Sequence, residues 1–182
     1  MRSTKMVFFL TGLLLAAAQA VAGPIHPGPP ALSQMVADWQ RAKVYTKEYL
    51  DAMPADGLAY KPNADVRSFA EQMLHIAMAN FAFASAASGK AQPYKDKNLE
   101  KMPEFATKEA LDKVVMESYD FVIAALQGTN EAQMGEKTKV FGMDMTRDQA
   151  YSKAFEHQTH HRGQATLYLR MKGVTPPKEK LF

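Results

Sequence analysis

Apolar residues recur at the three-to-four spacing of an amphipathic helix in four stretches of the chain, and each stretch carries its own start or stop signal. The first runs from about Ala31 to Met53, with Leu32, Met35, Val36, Trp39, Tyr45, Tyr49 and Leu50 largely at helical spacing and Pro54 as terminator. The second opens on Ser68-Phe69-Ala70-Glu71. That order has the form of a capping box, in which a Ser hydroxyl and a Glu carboxylate satisfy backbone N–H groups at a helix start. It runs to Ser88, with Gly89 suited to the left-handed residue past the end, and it is rich in Ala, Met and Phe on nearly every side, which places it centrally. The third is capped by Thr107, continues through Leu111, Val114, Val115, Tyr119, Val122 and Leu126, and closes at Gly128. A second capping box, Thr146-Arg147-Asp148-Gln149, opens the fourth, which puts Tyr151, Ala154, Phe155, His157, His161, Ala165, Tyr168 and Leu169 on one broad face before Gly173 and Pro176-Pro177 end it.

Between these stretches the chain is polar and punctuated. Residues 54–67 read as an ordered loop around Gly57 and Pro62, and residues 90–106, with Pro93, Pro103 and several lysines, read as surface loop. Residues 129–144 read as a connector with a short extended piece around Val140 to Met143. No convincing strand alternation and no internal repeat appear. Four amphipathic helices imply an all-α, four-helix bundle over residues 31–177, preceded by a Pro/Gly-rich lead at 23–30 and followed by a short tail at 178–182.

The N-terminus changes the picture of where this bundle works. Arg2 and Lys5 precede an uncharged run from Met6 to Ala20, and small residues follow at Ala20-Val21-Ala22-Gly23. Basic, apolar and small-residue regions in that order read as a secretory signal peptide over residues 1–22, too short in its apolar part for a comfortable membrane span, with an uncleaved membrane anchor as the competing reading. The expected mature protein is therefore exported, to the periplasm or the medium, with no membrane attachment after cleavage. Removal of the signal takes Arg2 and Lys5 with it and brings the formal charge of +3 close to neutral. The remaining lysines are scattered without an arginine cluster or interleaved aromatics, so nucleic-acid binding is not expected. The chain has no Cys. An exported protein without cysteine relies on its packed core, and thiolate is absent from its metal ligands and nucleophiles.

The densest chemistry lies in the fourth helix, at Glu156-His157-Gln158-Thr159-His160-His161-Arg162-Gly163-Gln164. Residues four apart share a helix face, so His157 and His161 aim two imidazoles at one point, which is how a helix offers a metal two ligands. His160 offers an alternative three-residue spacing, but His161 continues the face of Ala154, Ala165 and Tyr168, whereas His160 falls with Glu156 and Gly163. The chain has two further histidines, His26 in the lead and His75 in the apolar second helix, and His75 is the natural third ligand. A lone buried histidine is more often a hydrogen-bonded core residue than a ligand. The pair, together with a third imidazole on another core helix, turns that balance. Three imidazoles leave a coordination position open, as catalytic sites do. A zincin-type protease is disfavoured, because Gln158 stands where that motif needs a Glu base. Glu71, four residues before His75, is a capping carboxylate before it is a partner of the site, and Glu156 points roughly 100° away from His157. No catalytic residue is identified beyond the ligands.

The segment from Ser68 to Ala77 around His75, the His157-Gln158-Thr159-His160-His161-Arg162-Gly163-Gln164 run and the closing Tyr168-Leu169-Arg170-Met171-Lys172-Gly173-Val174-Thr175-Pro176-Pro177 resemble the DinB-like superfamily. The segment from Trp39 to Pro62 is similar to that family's first helix and loop, so the resemblance covers nearly all of the mature chain. It implies an up-down-down-up four-helix bundle, frequent dimers, and a divalent cation, most often zinc or nickel, on a triad that maps to His75, His157 and His161. It also implies thiol-dependent transferases and isomerases among the relatives. In a transferase the cation would acidify an incoming small thiol, whereas activated water is the version that tolerates the periplasm. Two expectations of different class follow: a metal-dependent hydrolase or thiol transferase acting on a small molecule, with a pocket beside the triad, or a non-enzymatic bundle that binds metal or a small ligand. A bundle that carries the motif without metal is a third and weaker reading.

Overall fold

The computed structural model of the chain describes residues 31–182; the expected signal peptide, the lead and His26 lie outside the described residues. Four helices, α1 (Leu32–Ala52), α2 (Phe69–Ser88), α3 (Lys108–Gln127) and α4 (Arg147–Met171), make an all-α bundle. Both capping boxes form. Ser68 Oγ accepts from the Glu71 N–H at 3.2 Å while Glu71 Oε2 accepts from the Ser68 N–H at 2.8 Å, and Thr146 and Gln149 repeat the exchange at the start of α4. Thr107 caps α3 through the N–H of Ala110. Gly89 and Gly173 close α2 and α4 in the left-handed region, with φ of 75° each. Gly128 ends α3 while keeping right-handed geometry, φ −87°.

Side-chain pairs between helices set the topology. Lys43 meets Asp120 and Thr46 meets Tyr119 while Lys108 meets the last carbonyls of α1, so α1 and α3 run antiparallel. Asn80 meets Ser118 and Phe81 meets Phe121, so α2 and α3 run parallel. Gln72 faces Gln164 while Phe83 faces His157, so α2 and α4 are antiparallel, and Trp39 with Phe155 and Tyr49 with Thr166 make α1 parallel to α4. The directions are up, down, down, up along the chain. Helix α2 packs on both α3 and α4, and its Phe69, Met73, Ile76, Ala77, Phe81 and Ala84 are fully buried. The central position expected of the Ala-, Met- and Phe-rich helix is the one it takes.

Two connections differ from their sequence reading. The connector before α4 folds into an antiparallel hairpin, β1 (Lys137–Val140) and β2 (Met143–Thr146): of the residues read as an extended piece, Val140 and Met143 pair across the strands and the two between them form the turn. Phe141 and Gly142 occupy that two-residue turn with φ of 49° and 84°, the positive values that a type I′ turn needs to match strand twist. The link over residues 90–106 is not plain surface loop. It carries two short 3-10 turns, Leu99–Lys101 and Pro103–Phe105, and Leu99 is fully buried against α2.

Candidate metal centre

Antiparallel packing of α2 on α4 brings His75 opposite the His157/His161 face. The three ring centroids stand 5.0, 4.5 and 4.3 Å apart, and one ring nitrogen from each histidine lies within 4.8 Å of the others. His75 Nε2 and His157 Nε2 approach to 3.2 Å. Two imidazole nitrogens on a tetrahedral cation, each at about 2.0–2.1 Å from it, stand about 3.3 Å apart, so this pair already has the spacing of two ligands. His160 turns outward, its Nε2 2.8 Å from the Gln164 amide nitrogen, and it takes no place in the triad.

Two of the three rings are held from behind. Glu100 Oε1 accepts from His75 Nδ1 at 2.9 Å, which fixes the tautomer that leaves Nε2 with its lone pair toward the other rings. Glu100 is itself placed with care. Leu99 anchors its 3-10 turn in the core, the Asn98 side chain accepts from the Glu100 N–H at 3.1 Å, and Arg67 Nε donates to Oε2 at 3.0 Å. Behind His161 lies buried Gln72, its amide 2.9 Å from Nδ1 and also bonded to Gln164. With its nitrogen toward the ring Gln72 donates to Nδ1, which leaves the proton of a neutral ring on Nε2. A half-turn of the Gln72 amide, with Gln164 turning in step so that its nitrogen meets the Gln72 oxygen, lets that oxygen accept from Nδ1 and frees Nε2 for a cation. Buried His157 Nδ1 has no partner among the described residues, so no side chain holds this ring from behind.

Electrostatics favours ligation over protonation. Burial, with the neighbouring His75 and His160 adding to it, lowers His157 to a pKa of about 4, and burial with His157 and His75 lowers His161 to about 3. Both rings are therefore neutral at pH 7, the form a metal binds. Imidazole ligands suit zinc, nickel, copper or iron. Tautomer control at His75, the 3.2 Å pair and the neutral rings fit a divalent cation.

The remaining carboxylates are committed. Glu71 closes the capping box and pairs with Lys61 at 3.0 Å and Lys101 at 3.3 Å. Exposed Glu156 pairs with Lys153. Gln158 points to the opposite side of α4, fully buried, where its oxygen accepts from Tyr119 at 3.0 Å and from Arg162 at 2.7 Å. The triad opens on two cavities. One of about 720 Å³ reaches His161 and is lined by Lys61, Arg67 and Lys101 with their partners Glu71 and Glu100, and by Gln72; the other, of about 310 Å³, reaches His75 and His157.

Sequence reasoning missed Gln72, Glu100 and Gln164. Gln72 and Gln164 sit three residues before His75 and after His161, close enough on each helix for that spacing to have flagged them. Glu100 lies in an irregular link with no periodicity to mark it.

Residues 28–181 match the model of the DinB family. The chain is 26% identical over 147 residues to the uncharacterized protein YjoA of Bacillus subtilis strain 168, covering 79% of this chain and 92% of that one. Among solved structures, a DinB-like protein of Bacillus cereus ATCC 10987 superposes with a TM-score of 0.70 at 19% identity, over 81% of this chain and 97% of that one. The structure of B. subtilis YjoA gives 0.62 at 24% identity, over 82% and 96%. These last two likenesses speak for the fold.

Proposed function

The chain belongs to the DinB family, and on that premise we propose that it is an exported hydrolase of a small molecule, dependent on a divalent cation held by His75, His157 and His161. The observation that carries the reading is access: the triad is flanked by cavities on both sides rather than sealed in the core. A structural site is closed, whereas a catalytic one keeps a position open. When bound, the cation supplies Lewis acidity and a water acidified toward neutral pH. The protein's part is orientation: Glu100 fixes His75, Gln72 fixes His161, and the helical frame keeps the rings converged. The expected export segment favours water over a cytosolic thiol as the species activated. Zinc or nickel is the cation, and the active form is a homodimer.

The absence of an uncommitted carboxylate beside the triad among the described residues supports a second reading, a bundle that binds metal or a small ligand without turnover. Elemental analysis of untagged protein separates the outcomes. Wild type is expected to retain about one equivalent of zinc or nickel, and His157→Ala to lose it, as a three-imidazole site requires. Loaded wild type is expected to hydrolyse members of a panel of aryl esters and amides that His157→Ala leaves intact. Stoichiometric metal with no hydrolysis across the panel favours the second reading, and no metal under any supplementation defeats both.

A further inference from the structure

The smaller cavity ends on two metal-facing rings, His75 and His157, yet its walls are mostly apolar: Met78, Phe81, Tyr94, Leu99 and Phe141 supply most of them, and Gln92 and Lys97 are the polar exceptions. Its volume of about 310 Å³ is roughly twice the 150 Å³ or so in which benzene is held by an apolar cavity, so it admits a substituted ring. Three of those walls are aromatic, and Met78 adds a polarizable thioether; rings and sulfur favour edge and stacked contacts with another ring.

Phe141 gives a second, independent pointer. It occupies the first turn position of the hairpin with φ 49°, where Asn, Asp or Gly relieves strain and a bulky ring does not. It is 69% exposed, and its ring stands edge-on to Phe83 at 5.3 Å, with Phe83 in turn 6.3 Å from His157. A strained, exposed aromatic held at the mouth of a cavity beside a candidate centre is the kind of outlier that local folding needs do not explain.

We propose that this cavity is a specificity pocket for an aryl arm of the substrate, carried on a head group that reaches the His75/His157/His161 centre, with Phe141 as its outer wall. The polar remainder of the molecule extends toward Lys61, Arg67 and Lys101 on the His161 side. This inference rests on the metal-centre reading, and its test separates the two. Zinc uptake is measured first by calorimetry; binding of acetohydroxamate and benzohydroxamate, which share a metal-seeking head and differ in the arm, is then measured on the zinc-loaded protein. Benzohydroxamate is expected to bind at least about tenfold more tightly, the scale of an apolar group filling a pocket. In Ala82→Phe, which fills the cavity from partly exposed Ala82 on α2, the preference is expected to fall within about threefold, and Phe141→Ala to reduce it part of the way. Equal binding of the two probes by zinc-loaded wild type, or an aryl preference that Ala82→Phe leaves intact, overturns the proposal. Protein that takes up no zinc refutes the metal reading alone, and the pocket is then decided on metal-free protein. Benzyl alcohol shifting the methyl resonances of Ala79 and Ala82 in wild type but not the Ala79 methyl in Ala82→Phe supports the pocket, and no shift in wild type overturns it.

Discussion

His75 is aimed by a carboxylate 25 residues further along the chain. The 2.9 Å contact from His75 Nδ1 to Glu100 does for the ring what covalent geometry cannot: it selects a tautomer and stops rotation about the side chain. Replacing Glu100 by Gln keeps the volume and removes the charge-assisted acceptor, so metal affinity is expected to fall by about 10- to 100-fold, the usual cost of losing such a support. Titration calorimetry with zinc measures it; His160→Ala, whose ring points outward, serves as the comparison and is expected to leave the affinity nearly unchanged. An unaltered affinity in Glu100→Gln would mean the carboxylate is a surface partner of Arg67 and nothing more. At this scale the three histidines were legible because the helical repeat puts two on one face and leaves one other imidazole in a core helix. Glu100 was not legible, because an irregular link gives its residues no periodicity from which a direction can be read.

Helix boundaries follow from local chemistry that a sequence displays directly. Each capping box is four residues long, and both formed where Ser68 and Thr146 placed them. Ser68→Ala is expected to cost about 1 kcal/mol of stability, as lost N-caps do, read as a lower urea midpoint at unchanged slope. The same cap carries a pH dependence. The Ser68 N–H, with Lys61 and Lys101 helping, holds the Glu71 carboxyl at a pKa of about 2, below its ordinary 4.5. Because the folded value is the depressed one, the contribution is fully present above pH 4.5 and is lost as pH falls from there toward 2. Wild type is expected to exceed Glu71→Gln in stability at pH 7, with the gap shrinking through pH 3; a gap that persists unchanged at pH 2 would contradict that origin. The hairpin was illegible for an equally local reason. Its strands are four residues each, only Val140 among them is buried, and Phe-Gly stands where Asn-Gly would have marked the turn.

The bundle as a whole has two polar systems back to back on α4. His157 and His161 face α2, while Gln158 and Arg162 face α1 and α3, where Thr46, Tyr119, Gln158 and Arg162 form a buried chain and the Arg162 guanidinium lies 4.5 Å over the Tyr45 ring. This explains why the residue after His157 is no base: its position on the helix turns it into the core. From the sequence Gln158 is only a missing glutamate, because which helix covers that face is set by the up-down-down-up packing and not by α4 alone. Tyr119→Phe is expected to cost about 1–3 kcal/mol by leaving Thr46 and Gln158 short of a partner, while zinc affinity holds, since the chain points away from the triad; a matching loss of metal would show the two systems to be coupled.

The central claim is that His75, His157 and His161 together ligate one divalent cation. X-ray absorption at the metal edge of zinc-loaded, untagged protein tests it most directly. The account predicts a first shell of nitrogen and oxygen at about 2.0–2.1 Å with the outer-shell scattering of three imidazoles, reduced to two in His75→Ala. A spectrum without imidazole scattering, or one that His75→Ala leaves unchanged, would contradict it.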